Sequence, residues 1–218
     1  KVSKVAYLKG AGDKVAESLR NIGITVTEFE IEELRLESLL NYPTLIIGIR
    51  AFNVHKELAF KNQILWDYAN QGGTVIIQYN TSRGFDSSIM SPYLIKLSRD
   101  RVTDENADVV FLKKGHPLLN EPNKITEKDF KGWVQERGLY FANEWDERYQ
   151  SLFSMSDKGE KSNKGSLLAA NYGKGKIIYT GLSFFRELPS GVPGAYRLFI
   201  NLISYCLLYT SDAADEGS

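Results

Sequence analysis

The chain has little of what covalent catalysis and metal binding need. It contains one cysteine, Cys206, and two histidines, His55 and His116. A single cysteine excludes an internal disulfide and any cysteine-based zinc cluster. The histidines show no metal-ligand spacing, and no GxSxG nucleophile elbow is present. We therefore expect Cys206 to be a core residue, the histidines to be structural, and the chain to use no metal or cofactor.

Net charge and long apolar runs are also lacking. The 27 Lys and Arg residues are balanced by 27 Asp and Glu residues, whereas a protein whose main partner is nucleic acid needs a basic surplus. No apolar run approaches the roughly 20 residues that cross a bilayer. With 43% hydrophobic and 25% charged residues, the composition is that of an ordinary globular domain. Neither nucleic acid nor a membrane is an expected partner.

The two ends of the chain differ from the rest. The chain begins Lys1-Val2-Ser3-Lys4 without an initiator methionine, which indicates a fragment of a longer protein. Residues 208–218 (LYTSDAADEGS) are small, acidic and without pattern, and they resemble translated adapter sequence. We expect this tail to be non-native and disordered, which leaves one domain over residues 1–207.

Strand and helix patterns alternate in the first part of the chain. Buried-strand patterns cover 2–8, 24–29, 44–49 and 74–78, and helical patterns cover 14–21, 34–40 and 56–70. Continuous apolar strands between amphipathic helices predict an α/β fold, with a mostly parallel sheet and helices on both faces. Gly10 and Gly12 follow the first strand, where a phosphate could bind. The third glycine of the dinucleotide fingerprint is missing, so a tight turn in which Asp13 caps the next helix is favoured.

The pattern changes after the fourth strand. Residues 82–166 are polar, aromatic and rich in turns, which predicts an insertion with some β structure, packed over one end of the sheet. Within it, Trp133 and Arg137 have the spacing of one face of a helical turn, either in the insertion's own core or over a cleft. A hairpin (167–171 and 176–180) and a helix (195–207) complete the predicted domain.

Polar side chains follow the predicted strands at their carboxyl ends, where α/β proteins bind ligands. Six residues there are candidates for ligand binding: Arg50, Asn53, Asn80, Ser183, Arg186 and Glu187. Amide and guanidinium groups give oriented hydrogen bonds, and aromatic neighbours can stack on sugar rings or bases. The mixture favours binding over bond cleavage, and no catalytic residue is assigned. The alternative is a set of buried ion pairs that only fixes the loops.

Five long segments resemble one family. They are GIRAFN (48–53), GGTVIIQYNT (72–81), KLSRDRVT (96–103), HPLLNEPNKITEKDFKGWVQERGLYF (116–141) and YTGLSFFRELPSGVPGAYRLFINLI (179–203). Together they are similar to the class I glutamine-amidotransferase-like domain at the C-terminal end of some bacterial PIG-L (LmbE-type) deacetylases. The resemblance covers nearly all of residues 1–207, and it implies a flavodoxin-like fold.

The resemblance also implies which chemistry is missing. In active class I amidotransferases a nucleophilic cysteine follows the strand that corresponds to 74–78, but here the turn is Tyr79-Asn80-Thr81. The His-x-Glu pair of those enzymes falls near 183–187, where there is no histidine and only Glu187 approximates the acid. Because thiolate and base are both indispensable to that reaction, we expect no glutaminase activity.

The deacetylase chemistry of the PIG-L family is absent from this segment too. Its zinc motif is of the His-Pro-Asp-Asp type, whereas the one His-Pro here, His116-Pro117, has no carboxylates after it. The resemblance therefore implies a non-catalytic companion of a zinc deacetylase domain in the same parent chain. Its partner would be that domain, or a glycan or amino sugar. An extracytoplasmic location of the bacterial parent is implied by the resemblance alone.

Two other functions remain open at this point. A ThuA-like sugar-processing enzyme would use Glu187 as its acid/base, which requires a desolvated carboxyl group in a cleft with a second titratable group within reach. A purely structural interaction domain would instead expose an apolar patch around Phe184, Phe185 and Trp133.

Overall fold

The computed structural model describes residues 2–207, so the predicted tail at 208–218 lies outside the described residues. Strands and helices alternate in the first part of the chain, as the sequence predicts. They are β1 (Lys4–Leu8), α1 (Val15–Asn21), β2 (Thr25–Phe29), α2 (Leu36–Leu39), β3 (Thr44–Ile47), α3 (Ala51–Val54), α4 (Leu58–Asn70) and β4 (Thr74–Ile77). The single turn α3 was not predicted.

The second part begins with five short strands and ends with a hairpin and a long helix. The short strands are β5 (Ile95–Leu97), β6 (Val109–Phe111), β7 (Ala142–Trp145), β8 (Gln150–Ser151) and β9 (Phe153–Met155). They are followed by the hairpin strands β10 (Leu167–Tyr172) and β11 (Gly175–Thr180), the single turn α5 (Phe184–Glu187) and α6 (Pro193–Ser204).

The main sheet has seven strands in the order β2-β1-β3-β4-β11-β10-β8. The first five of these are parallel, and β10 runs antiparallel to both β11 and β8. The central strands β3, β4 and β11 are buried along their whole length, as expected for a parallel sheet that is covered on both sides. The predicted α/β, flavodoxin-like class is confirmed.

Alternate residues of the central strands face two separate cores, because side chains in a strand point to opposite faces. Ile46, Ile76 and Ile178 belong to the core that also contains α1 and α6. Leu45 and Val75 belong to the core that also contains α2 and α4. The aromatic side chains of the insertion are shared between the two cores, so the insertion is packed into the domain.

Two small antiparallel sheets make up the β structure of the insertion. β5 pairs with β7, and β6 pairs with β9. The insertion also packs on α6: the buried Asn201 donates to the carbonyls of Leu118 and Asn123, each at 2.8 Å. These bonds satisfy a buried amide that would otherwise destabilise the fold.

The predicted helical turn at Trp133 and Arg137 is wrong. Residues 133–137 have no helical structure, and Gln135 has a left-handed backbone (φ 68°). The two side chains nevertheless meet, because the Arg137 guanidinium lies 5.8 Å from the Trp133 ring centroid. Both residues are buried, and the Arg137 guanidinium donates to the carbonyls of Ala107 and Phe130. They belong to the core of the insertion, which was one of the two alternatives.

Substituting Gly194 by alanine should destabilise the domain by roughly 1–3 kcal/mol, the usual cost of overpacking. A Cβ atom at this position would lie 1.8 Å from the carbonyl oxygen of Asp129, on the insertion. Urea denaturation measures the effect. Gly115→Ala is the control, since no atom lies within 4 Å of its added Cβ. Equal stability of the two variants would contradict this packing of α6 on the insertion.

Candidate functional site

The carboxyl ends of β1, β3, β4 and β11 meet at one edge of the sheet, which we call the rim. Main-chain hydrogen bonds join the loops there: Arg50 N donates to the Tyr79 carbonyl at 2.8 Å, and Ala11 N donates to the Ile49 carbonyl at 2.9 Å. The rim is therefore a continuous surface built from several loops, as the sequence predicts for a parallel sheet.

The glycine turn after β1 is closed by the protein's own carboxylate. Asp13 accepts hydrogen bonds from Val15 N at 2.8 Å and from Ile49 N at 3.3 Å. The Tyr7 hydroxyl also donates to Asp13, and Gln78 Nε2 donates to that hydroxyl at 2.9 Å. These main-chain donors are the groups that a bound phosphate would use. The turn thus has a structural role, as favoured, but the N-cap of α1 is Lys14, one residue after the predicted Asp13.

The two asparagines of the candidate set tie neighbouring loops together. Asn80 has no exposed surface; its Oδ1 accepts from Phe52 N at 3.1 Å, and its Nδ2 donates to the Gln78 carbonyl at 3.2 Å. Half-buried Asn53 exchanges two hydrogen bonds with the main chain of Thr81, at 2.8 and 3.0 Å. Both amides shape the rim, and Asn53 alone of the two reaches its surface.

Ser183 and Glu187 are also without exposed surface. Ser183 Oγ donates to Glu187 Oε2 at 2.9 Å, and Val134 N donates to Glu187 Oε1 at 2.5 Å. Burial raises the pKa of Glu187 to about 7, although these two hydrogen bonds act in the opposite direction. The carboxyl group therefore anchors the insertion to α5.

This position of Glu187 bears on the ThuA-like alternative. The carboxyl group is desolvated, as an acid/base requires, but its oxygens contact Ser183 and Val134 N rather than an open cleft. A substrate could reach Glu187 only if the segment around Val134 moved away. The geometry in this conformation is that of a structural carboxyl group.

The two arginines of the candidate set lie at the surface of the rim. Arg186 Nε is 2.7 Å from Glu136 Oε1, and its guanidinium lies 4.8 Å from the Phe185 ring centroid. Arg50 has a left-handed backbone (φ 56°), and its buried Nε atom has no hydrogen-bond partner among the described residues. This buried donor is unsatisfied, but it has almost no exposed surface, so a ligand could contact only the more exposed part of the Arg50 side chain.

Three aromatic rings lie between these arginines. Tyr79 stacks on Tyr140 with a centroid distance of 6.0 Å and an interplanar angle of 9°, and its centroid is 5.2 Å from that of Phe185. Burial raises the pKa of Tyr79, while the charges of Arg50 and Arg186 oppose this rise. We name Arg50, Tyr79, Tyr140, Phe185 and Arg186 the rim cluster.

Two residues of this surface were not predicted from the sequence. Tyr140 and Glu136 belong to the insertion, and the fold brings them to the rim through long-range contacts. Tyr140 is held there by a left-handed backbone (φ 48°) and by a hydrogen bond from Tyr179 Oη to its carbonyl at 2.5 Å. Nothing in the local pattern of residues 136–140 indicates this placement.

The cysteine and the histidines do not supply a nucleophile and a base at the rim. Thr44, at the start of β3, is 3.6 Å from Cys206 Sγ, which puts the thiol at the opposite edge of the sheet. His116 lies near Tyr205, and its Nδ1 accepts from Leu118 N at 3.1 Å. Burial, with the charge of Lys176, lowers the pKa of His116 to about 4. His55 Nε2 lies 2.6 Å from the Lys9 carbonyl.

Metal clusters and membrane-spanning helices are both lacking in the described part of the chain. Residues 2–207 contain no group of three or more His, Cys, Asp or Glu side chains that could hold a metal ion. Within the same range, none of the helices has the length and apolar character needed to cross a bilayer.

The apolar patch expected for a purely structural interaction domain does not form. Phe184 is fully buried and Trp133 is 2% exposed, because both pack into the core beside α6. Only Phe185 of the three predicted residues is partly exposed, and it belongs to the rim cluster.

Solved structures share this architecture. A GMP synthase-like protein from Thermoplasma acidophilum is 10% identical, with a TM-score of 0.60 over 98% of both chains. PurLQS from Thermotoga maritima is 11% identical, with a TM-score of 0.58 over 94% of this chain and 99% of that chain. A β-galactosidase from Rahnella sp. R3 is 14% identical, with a TM-score of 0.58 over 94% of this chain but 31% of its own.

At these identities the likeness shows the fold alone, which is that of class I glutamine-amidotransferase-like domains. No protein-family model matches the chain, and no curated protein matches its sequence.

Replacing Glu187 by glutamine should remove a pH-dependent part of the stability. A carboxyl group whose pKa is raised from 4.5 to about 7 on folding stabilises the fold fully below pH 4.5. This contribution is lost as the pH rises through about 7. We expect the wild-type free energy of unfolding to fall by about 2 kcal/mol more than that of Glu187→Gln between pH 5 and pH 8.

Urea denaturation at the two pH values measures this difference. The control is Glu144→Gln, whose exposed carboxylate lies 3.5 Å from Lys96 Nζ and should follow the wild type. If the free energy of unfolding changed by the same amount between the two pH values for the wild type and for Glu187→Gln, Glu187 would not be buried in this way.

Proposed function

We propose that this chain is a catalytically silent amidotransferase-like accessory domain that binds a sugar-like ligand through the rim cluster. The observation that carries the proposal is that the rim has other side chains in place of a nucleophile and a base. Tyr79 and Asn80 occupy the turn after β4, and the thiol of Cys206 lies at the other edge of the sheet. Aromatic rings and arginines stand where a nucleophile and a base would be needed.

The form of the rim cluster supports a binding role. Flat rings beside a few oriented polar groups are the usual lining of small-molecule sites. Arg50 and Tyr140 both have left-handed backbones. This conformation is energetically unfavourable for non-glycine residues, and residues that adopt it are found preferentially at functional sites. The half-buried Arg50 side chain adds a guanidinium group at the rim that a sugar hydroxyl or carboxylate could contact.

The wider setting of the domain is part of the same proposal. The β-galactosidase whose structure resembles this one has the fold in about a third of its chain, so the fold occurs within a longer sugar-processing enzyme. The motif resemblance points to a PIG-L-type N-acetyl-sugar deacetylase as the parent. In that setting, the rim would bind the amino sugar or contact the zinc deacetylase domain of the same parent chain.

Within the candidate set, the proposal distinguishes groups that touch a ligand from groups that support them. Arg50, Asn53 and Arg186 reach the surface and would contact the ligand. Asn80, Ser183 and Glu187 are buried, and their part would be to hold the rim loops in place. Second-layer groups of this kind are needed to preorganise a binding site.

Arg186→Ala should weaken binding of a sugar ligand at least about tenfold, because hydrogen bonds to a charged donor contribute roughly 1.5–3 kcal/mol. Titrations by calorimetry would use N-acetylglucosamine, glucosamine and chitobiose. The control is Arg148→Ala, since Arg148 is also ion-paired, with Asp146 at 2.8 Å, and lies over the Tyr93 ring at 3.9 Å. It should leave the affinity unchanged.

Two results would overturn the proposed function. One is ammonia release from glutamine by the wild-type chain, since a silent rim cannot support that reaction. The other is binding of all three sugars, or of the parent's deacetylase domain, at the same strength by Arg186→Ala and the wild type.

A further inference from the structure

A second concave surface lies in the insertion, where none of the proposed rim contacts is found. It is a cavity of about 540 Å³ lined by residues 99–102, by the region of β7 and by the loop 156–164. No residue of the rim cluster lines it. Its size falls in the range of about 300–1,000 Å³ that is usual for small-molecule sites. We name it the insertion groove.

The walls of the insertion groove are fixed by hydrogen bonds. The Asp157 carboxylate accepts from Thr103 N at 2.9 Å, from Thr103 Oγ1 at 2.8 Å and from Asp104 N at 2.7 Å. Main-chain bonds at 2.8 and 2.9 Å join Asn163 to Met155 in both directions. The loop 156–164 is thus held against the opposite wall, so that a ligand would meet a preformed site.

The insertion groove is cationic in a chain that has no net charge. Its lining includes four basic side chains, Arg99, Arg101, Lys161 and Lys164, and two acidic ones, Asp100 and Glu160. Among residues 2–207, none of these four cations is in an ion pair within 4 Å. A concave surface of one predominant sign concentrates ligands of the opposite sign.

Two of the nearby acids are already engaged. Asp100 Oδ2 accepts from Asn163 Nδ2 at 3.1 Å. Asp157 interacts with the charge of Arg101, and its carboxylate takes the three hydrogen bonds from Thr103 and Asp104. The four cations of the lining outnumber its two acids, Asp100 and Glu160, so the groove retains donors for an incoming anion.

An aromatic face completes the lining. Trp145 is half-buried and forms part of the groove wall, whereas Trp66 and Trp133 are 5% and 2% exposed. An indole face is suited to stacking on a sugar ring, and the cations around it are suited to carboxylate or sulfate groups. We propose that the insertion groove binds an acidic saccharide, a sugar chain that carries carboxylate or sulfate groups. This site is independent of the proposed rim site.

The fluorescence of Trp145 offers a direct test with the full chain. Titration with trigalacturonate and with sulfated maltotriose should change the tryptophan emission, because Trp145 is the least buried indole of the three. The double variant R99A/R101A should bind at least about tenfold more weakly, and raised salt should weaken wild-type binding as it screens the charges. Comparing the two probes decides whether carboxylate or sulfate is the preferred group.

Matched variants keep the test specific. K113A/K114A removes the same charge from exposed positions outside the groove and should bind like the wild type. K161A/K164A alters the other wall and should show the same loss of binding. It replaces R99A/R101A in the test if the thermal midpoint shows that R99A/R101A is unstable. Trp145→Phe should lose the emission change but retain binding by calorimetry.

Several results would overturn the proposal. One is that both wall variants bind the acidic saccharides as tightly as the wild type does, and another is that neutral maltotriose binds as tightly as they do. The others are tighter binding of single-stranded oligothymidine than of either acidic saccharide, and binding of inorganic sulfate as strong as that of the sulfated sugar. If the rim fails to bind sugars while the groove binds acidic ones, the proposed function falls and this inference stands.

Discussion

The attachment of the insertion to the tip of β11 is the constraint on which the candidate surfaces depend. Glu187 accepts a hydrogen bond from Val134 N, and Ser183 N donates to the Arg137 carbonyl at 3.0 Å. Further main-chain bonds continue this join, from Leu139 N to the Gly181 carbonyl. Because the segment 134–140 is held in this way, Tyr140 stacks on Tyr79 and Glu136 pairs with Arg186. Without this join the rim would lack the Tyr140 ring and the ion pair between Glu136 and Arg186.

In the proposed function, the same attachment would let a fold shared with amidotransferase-like domains serve binding instead of catalysis. The place that a nucleophile would need on the turn after β4 is filled by the half-buried Tyr79, and the acid after β11 is turned inward as a structural group. What reaches the surface is aromatic and cationic. A surface of this kind would hold a ligand in one orientation, as the proposed function requires.

Particular elements show how much of the fold and of the candidate site could be predicted from the sequence. The apolar runs at β3, β4 and β11, with a glycine directly after β3 and β11, placed the strands within a few residues, because burial on both faces leaves a continuous apolar signal. The polar residues after those strands were correctly placed at one edge. Their orientation was not available: Arg186 and Glu187 are adjacent in the chain, yet one reaches solvent and the other is fully buried. The spacing of Trp133 and Arg137 suggested a helix that the fold does not form, since their contact arises from an irregular segment.

The sequence by itself determined the alternating α/β order, the parallel sheet, and the absence of cysteine and histidine from the turns that would need them. These properties depend on local periodicity and on residue identity, and both can be recognised in a short stretch of the chain. The tertiary structure alone decided which tip residues face outward, that Tyr140 completes the rim cluster, and that four basic side chains line one groove together with Trp145. These contacts join residues about 50 positions apart, as with Glu187 and Val134 or Arg186 and Glu136. No local pattern encodes such pairs, because they form only when the whole chain has packed.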